Sequence, residues 1–265
     1  MRRVYLDSSW PKSWKESYFY DLQEVYGEIS NWGYAYAYAN RRKHTLRLIR
    51  EVLAPGATIL DVAAAQGNFS IALTEMGYDV TWNDLRAELA DYVRLKHEQG
   101  NITFAPGNTF ELNFPSLFDG VLIAEVIEHV AHPDAFLTKI VRLVRPGGYV
   151  FMTTPNGAYC RNTLPRFSEC LDSSIYEPVQ FKPNADGHIF LLYPDEIPQL
   201  AAGAGLKVDR LELFTNPLTT GHLRLEGLLR ILPKVLIDGV ERISQYMIAP
   251  AGRRLLVQMA VRFRR

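Results

Sequence analysis

The sequence predicts an α/β fold with a largely parallel sheet covered by helices on both faces. Three observations predict it. From Thr58 to Asn156, short apolar segments alternate with longer ones whose apolar residues fall at helical spacing. The first apolar segment, ILDV, passes through a short turn, AAAQG, directly into a helical pattern. The 265 residues are enough to bury one sizeable core. Strands separated by helices need crossover connections, which favours parallel pairing and helices on both faces.

The elements follow in order. Residues 1 to about 40 are rich in Trp and Tyr. The alternation YAYAY is compatible with a strand, but alanine favours helix, and Leu46, Ile49 and Leu53 continue at helical spacing. One helix is therefore expected from about 36 to 53, stopped near Pro55-Gly56. ATILDVA reads as a strand and NFSIALTEMG as a helix closed by Gly77. YDVTWND is a strand, LRAELADYVRLKHEQG a helix, NITFAPG a short strand and FDGVLIAEVI a strand running into a turn. DAFLTKIVRLVRPGG reads as a helix ended by Pro-Gly-Gly, and YVFMTTPN as a strand. YPDEIPQLAAGAG is a helix, LKVDRLELF a strand, and RRLLVQMAVRFRR most simply a last strand. Two insertions, 157–193 and 215–252, interrupt the second half and can form a substrate cap. Nothing between them requires a second domain, so 1–265 reads as one domain with an N-terminal lid over 1–45.

Composition narrows the function. Lys plus Arg equal Asp plus Glu, 29 each, which argues against a general nucleic-acid binder. Two cysteines outside any CxxC pair make no disulfide framework and suit a reduced compartment. The polar N-terminus is unlike a signal peptide, and no apolar stretch is long enough to span a bilayer; a cytoplasmic location is expected.

The turn after the first strand matters most, because open parallel sheets bind ligands beyond the carboxyl ends of their strands. Alanines stand where such loops usually carry glycine; each adds one methyl, tolerable if φ stays negative. Gly67 remains at the mouth of the helix, and the next strand ends in Asp84, suited to gripping a ribose diol. These features also suit a nicotinamide enzyme, although a strict GxGxxG is absent.

The segments ILDVAAAQGNFSIALTEMGYDVTWNDL, FDGVLIAEVIEHVAHPDAFLTKIVRLVRPGGYVFMTTPN and GHIFLLYPDEIPQLAAGAGLKV together resemble the class I S-adenosylmethionine-dependent methyltransferases. Within that family they are most similar to the branch of ubiquinone-biosynthesis O-methyltransferases, over roughly residues 45–213. The resemblance implies a Rossmann-like, doubly wound, seven-stranded sheet, mostly parallel with an antiparallel last strand. It assigns Asp61, Ala63, Ala65 and Gly67 to the loop around the methionine part of the cofactor, and Asp84 to its ribose. Asn108, Thr109 and Phe110 fall on the adenine-contacting segment, and Asn108 stands where the family often has Asp. Tyr34, Tyr36 and Tyr38 lie nearest the family's lid, with Tyr38 as the cofactor-contact candidate, and Glu125 is placed at the methionine end.

EVIEHV carries a sharper expectation. If it opens a helical turn, Glu125, Glu128 and His129 share one face, and His188 of DGHIF can supply a fourth ligand for Mg²⁺ or another divalent metal. The same pattern with a later histidine is similar to that of small-RNA terminal 2′-O-methyltransferases, where it implies a metal gripping a vicinal diol. Glu128, His129 and His188 are then the catalytic candidates. The alternative is metal-free, with His129 as a general base. His132, before Pro133, reads as structural, and His222 as a lone histidine of an insertion.

The expected activity is methyl transfer to a hydroxyl of a sugar, glycan end or other diol-bearing small molecule. A quinone-like phenol comes next, and an RNA end last. A non-catalytic binding module and a nicotinamide oxidoreductase are the other classes. Segment 223–248 mixes aliphatic residues with Arg224, Arg230, Lys234 and Arg242, which suits peripheral membrane contact, a dimer contact or ordinary packing. The oligomeric state is left open.

Overall fold

A computed structural model describes residues 1–180, 187–220, 226–246 and 251–265. In chain order the elements are α1 (Lys12–Glu24), α2 (Trp32–Arg50), β1 (Thr58–Val62), α3 (Asn68–Glu75), β2 (Asp79–Asn83), α4 (Leu89–Lys96) and β3 (Asn101–Phe104). There follow β4 (Phe118–Ala124), α5 (Pro133–Val141), β5 (Val144–Pro155), α6 (Ile197–Gly203) and β6 (Lys207–Phe214). The chain closes with α7 (Glu226–Ile231), α8 (Lys234–Tyr246), α9 (Ala251–Leu255) and β7 (Gln258–Arg264).

The seven strands form one sheet in the order β3-β2-β1-β4-β5-β7-β6. The strands from β3 across to β5 are mutually parallel, and β7 runs antiparallel to both its neighbours. This is the doubly wound, mostly parallel architecture with an antiparallel last strand that the sequence predicts. The order reverses between β1 and β4, so the crevice outside their carboxyl ends is the place for a ligand. Strands β1 and β4 are nearly all buried because the sheet is covered on both faces. Val62, Val121, Ile123 and Val150 pack under α5 and α6, while Ile59, Leu122 and Phe151 pack under α2 and α3. Gly120 lies in β4 because a Cβ there would stand 2.9 Å from Leu53 Cδ1 and 3.0 Å from Phe151 Cε2.

Local chemistry moves several expected boundaries. α2 starts at Trp32 rather than at about 36, since Asn31 Oδ1 accepts a hydrogen bond from Tyr34 N at 2.9 Å and caps it. YAYAY is therefore helical. α4 starts at Leu89, because Asp84 Oδ1 accepts from Arg86 N at 2.9 Å and holds the preceding residues in a turn. α5 ends at Val141, short of Pro-Gly-Gly. Val144 already pairs with Phe118, and the Pro-Gly-Gly residues fall in a register shift inside β5 rather than at a helix stop. The last strand begins at Gln258, α9 taking the residues before it. Among the described residues no helix is long and apolar enough to cross a membrane.

The N-terminal aromatics mostly pack. Trp10, Trp14 and Tyr18 cluster with Tyr92 of α4, the Trp10–Tyr92 ring centroids lying 5.7 Å apart. Beneath them sits a fully buried ion pair, Lys96 Nζ to Asp21 Oδ2 at 2.7 Å. Asp21 also accepts from Tyr92 Oη at 2.6 Å and from Asn68 Nδ2 at 2.7 Å, and Lys96 donates to Asn68 Oδ1 at 2.8 Å. One polar knot thus joins α1, α4 and the first residue of α3. Replacing Lys96 by Met leaves Asp21 buried without its cation, and urea unfolding should show a loss of about 3–5 kcal/mol. The double variant Asp21→Leu, Lys96→Met should recover most of it; a single variant as stable as wild type would remove the knot's structural role.

Candidate active site

The turn from β1 to α3 forms the floor of the crevice. Ala63 and Ala65 both adopt left-handed backbone, with φ of 54° and 49°. The condition under which alanine is harmless here, a negative φ, does not hold. An L-residue in this region pays about 1–2 kcal/mol. The strain is held by hydrogen bonds: Ala64 N donates to Asn83 O at 2.8 Å, Ala65 N to Asp84 Oδ2 at 2.9 Å, and Trp82 Nε1 to Ala65 O at 3.0 Å. Gly67 has φ of 71°, and a Cβ there would stand 2.8 Å from both methyls of Val93. Glycine is thus required twice over at the mouth of α3. Ala63 is exposed at the crevice, so its methyl is not a plug in the packed interior.

Asp61, buried at the end of β1, accepts from Ser70 Oγ at 2.6 Å and so ties strand to helix. Burial lifts its carboxyl to about 7, opposed by the Ser70 hydrogen bond and reinforced by the charge of Asp84. Asp84 is buried as well, with both oxygens engaged. Its Oδ1 accepts from Arg86 N and Nε, and its Oδ2 from Arg86 Nη2 at 3.2 Å and from Ala65 N. A diol reaching Asp84 must therefore displace the Arg86 guanidinium, which the sequence did not foretell.

Asn83 Nδ2 donates to Ala105 O and Gly107 O and holds the segment after β3 against β2. This brings Asn108 and Thr109 to the Asp84 side. Asn108 Oδ1 accepts from Phe110 N at 3.1 Å, which leaves its second lone pair for another donor. Thr109 is buried, and its hydroxyl has no partner among the described residues. Phe110 turns to the core and meets Phe136 edge-on at 5.6 Å.

On the other side stand α1 and α2. Glu24 accepts from Gln66 Nε2 at 2.9 Å, from Asn68 Nδ2 at 2.8 Å and from the Tyr34 hydroxyl. The lid thereby grips the loop directly. Burial pushes the Glu24 carboxyl up. Tyr38 is buried beside Phe69, its hydroxyl has no partner among the described residues, and burial keeps its phenol protonated. The Arg41 guanidinium lies over the Tyr38 ring at 5.3 Å and pairs with Glu125 Oε2 at 2.8 Å.

EVIEHV does not form the expected helical face. Glu125 has φ of 55°, outside the single 3-10 turn Ile127–His129, and is drawn to Arg41. It leaves the expected quartet of ligands. Glu128, His129 and His188 do converge, with one ligand atom from each lying within 4.8 Å of the others. Ile189 N donates to Glu128 O at 2.7 Å, which sets His188 beside His129. His129 Nδ1 lies 3.3 Å from Gly187 O, so a proton on Nδ1 leaves Nε2 to the site. Glu128 is 0% exposed; its Oε2 accepts from Thr154 Oγ1 at 3.2 Å and its Oε1 has no partner among the described residues. Burial, and then the charge of Glu125, push this carboxyl well above the usual range. Although the His188 ring is exposed on one side, desolvation and the neighbouring His129 lower its pKa. Two imidazoles beside a buried orphan carboxylate oxygen are a donor set that fits a divalent cation. His132 is engaged with Glu177 at 2.7 Å and Ser173 at 2.8 Å, a structural role as expected. His222 lies outside the described residues.

Sequence reasoning missed Asp21, Glu24, Arg41, Gln66, Arg86 and Lys96. The sequence shows only scattered polar residues there; their roles arise from contacts between α1, α2, α4 and the first loop.

Comparison with known proteins supplies the family. The model of a family described as a methyltransferase domain matches residues 34–211. A ubiquinone biosynthesis O-methyltransferase from Cereibacter sphaeroides is 32% identical over 178 residues, covering 64% of this chain and 70% of that protein. One of the same name from Thiobacillus denitrificans is 29% identical, covering 65% and 74%. A solved S-adenosylmethionine-dependent methyltransferase from Mesorhizobium loti is similar with a TM-score of 0.53 at 16% identity, covering 83% of this chain and 96% of that one. The [4+2]-cyclase SpnF is equally similar, with a TM-score of 0.54 at 14% identity, covering 84% and 80%. At such identity the likeness carries the fold and not the reaction.

Two outcomes follow from the loop. Ala63→Gly and Ala65→Gly should each raise stability in urea by about 1 kcal/mol through relief of left-handed strain; a loss in both would contradict the backbone described. For Asp61 the folded pKa of about 7 lies above the ordinary 3.8. Ionisation therefore costs the folded state, and stability falls as pH rises from about 4 towards 7. Asp61→Asn keeps the acceptor for Ser70 and should flatten that decline in thermal melts; an unchanged profile would assign the decline to other groups.

Proposed function

Since the chain belongs to the methyltransferase-domain family and is an S-adenosylmethionine-dependent methyltransferase, we propose that it methylates a hydroxyl oxygen, with Glu128, His129 and His188 as the acceptor-side machinery. The observation that carries this reading is the convergence of two imidazoles and a buried carboxylate at the carboxyl end of β4, one strand from the cofactor loop.

The residues support a division of labour. Ala63, Ala65 and Gly67 form the floor for the methionine part of the cofactor. Glu125 Oε1, without a partner among the described residues, suits an ammonium, and Arg41 suits a carboxylate, so their pair presents charges complementary to an amino-acid zwitterion. Asp84 takes the ribose hydroxyls once Arg86 swings aside. The methyl passes in line from sulfonium to the acceptor oxygen. The S–CH₃ bond breaks as the O–CH₃ bond forms, the sulfur keeps the electron pair, and S-adenosylhomocysteine leaves. The acceptor proton goes to His129 or His188, the imidazoles at hand. A divalent cation held by Glu128, His129 and His188 would supply charge that acidifies a hydroxyl and orients it.

For the acceptor, the names of the similar proteins favour a phenolic hydroxyl of the quinone-precursor type. The sugar or glycan-end acceptor rests on the diol argument alone.

The test pairs binding with turnover. Calorimetry should show S-adenosylhomocysteine binding, weakened about tenfold or more in Asp84→Ala by loss of charge-assisted hydrogen bonds. His129→Ala and His188→Ala should keep that binding while methylation of a catechol drops about a hundredfold or more. Full methylation by both histidine variants would overturn the assignment of the acceptor side. Titration with Mn²⁺ or Zn²⁺ should give one site in the wild type and none in Glu128→Gln; equal binding by both would remove the cation.

A further inference from the structure

The loop after β1 reads Ala63-Ala64-Ala65-Gln66-Gly67, so Gln66 alone carries a side chain long enough to be held from outside. It stands between two left-handed residues, Ala65 at φ 49° and Gly67 at φ 71°. On one side the loop is tied to β2 and its end through Ala64 N, Ala65 N and Ala65 O. On the other side Gln66 Nε2 donates to Glu24 Oε2 at 2.9 Å, and the Gln66 side chain has no other hydrogen bond among the described residues. Releasing that contact lets the strained backbone at Ala65 relax from one end, and the floor of the crevice changes shape with it.

Glu24 is the last residue of α1. A helix carboxyl end disfavours an anion, so α1 itself gives no reason for a carboxylate there. Its partners do. Glu24 Oε2 also accepts from Asn68 Nδ2 at 2.8 Å, and Oε1 accepts from the Tyr34 hydroxyl. The Asn68 amide is fixed in orientation, because its Oδ1 accepts from Lys96 Nζ and its Nδ2 also donates to Asp21. An ionised carboxylate accepts from all of these groups at once, and its bonds to the two amides are charge-assisted, about twice as strong as neutral ones. We propose that Glu24 is a positioning residue for the cofactor: acting through Gln66, it fixes the loop that receives the methionine part. This deepens the methyl-transfer reading and rests on its placement of the cofactor on that loop. The titratable groups around Glu24 are Asp21 on α1, Tyr34, Tyr38 and Arg41 on α2, and Lys96 on α4; Arg41 is itself paired with Glu125, and Asp61 lies at the foot of the loop. Burial raises the Glu24 pKa, opposed by the hydrogen bonds and by Arg41. Acidification therefore takes away the charge that strengthens the two amide bonds.

The experiment is calorimetric titration of the full chain with S-adenosylhomocysteine, on the wild type, Glu24→Ala, Gln66→Ala and the double variant. Each single variant should bind about tenfold more weakly. The double variant should bind about as well as either single one, because the two residues act as one unit. Additive losses overturn the proposal, since Glu24 would then act on the ligand directly or through the packing of α1 and α2. Glu24→Gln keeps an acceptor for both amides without the charge. It should bind about threefold more weakly than wild type near neutral pH, and the gap should close on acidification. Titration of Asp61 is common to both proteins and cancels in that ratio. A gap indifferent to pH belongs to a merely structural carboxylate and counts against the proposal. Gln66 is only half-buried, so Gln66→Ala and Glu24→Gln decide the matter if circular dichroism shows Glu24→Ala unfolded. Wild type that binds no S-adenosylhomocysteine sinks the cofactor reading itself. Wild-type binding that the variants leave unchanged sinks the role of Glu24 alone.

Discussion

The buried contact of Lys96 with Asp21 and Asn68 is the constraint on which the site's shape depends. It lies where three elements meet: the lid helix α1, the end of α4, and the first residue of α3 after the cofactor loop. Burial lowers the pKa of the Lys96 ammonium while the Asp21 carboxylate opposes that shift. Such a pair adds little net stability over an apolar substitute, but it is costly to leave half made. Its effect is therefore positional. α1 can dock in one register only, and that register sets Glu24 on Gln66 of the loop and on Asn68, the first residue of α3.

The loop itself is strained and restrained at once. Two alanines stand in left-handed backbone, which glycine would adopt at less cost. Hydrogen bonds from Ala64 and Ala65 to the end of β2 hold them there. The same bond makes Asp84 part of the scaffold as well as the proposed ribose group, and Arg86 takes up its other hydrogen bonds. Cofactor binding must exchange one set of charged hydrogen bonds for another, so the affinity it gains is a difference and not a sum.

The proposed acceptor side rests on one backbone contact. Ile189 N on Glu128 O brings a segment from the first insertion against the turn after β4. Two histidines and a buried glutamate then share a space that no single element could build. Glu125, only three residues before Glu128, is excluded because the left-handed turn at its own position points it to α2.

The sequence by itself determined the sheet, its mostly parallel pairing and the place of the cofactor loop, because strand and helix periodicities are local and the crossover rule follows from them. Asp61, Gly67 and Asp84 were legible for the same reason: each sits at a strand end or a helix mouth within a few residues of its cause. Tertiary structure alone decided the rest. That Arg86 covers Asp84 is a matter of how the turn after β2 folds; that Arg41 takes Glu125 out of the ligand set and that Glu24 holds Gln66 depend on groups far apart in the chain. The sign of φ at Ala63 and Ala65 was likewise undecided until the end of β2 was in place to hold it. Periodicity specifies which face of an element is apolar; only packing specifies what that face meets.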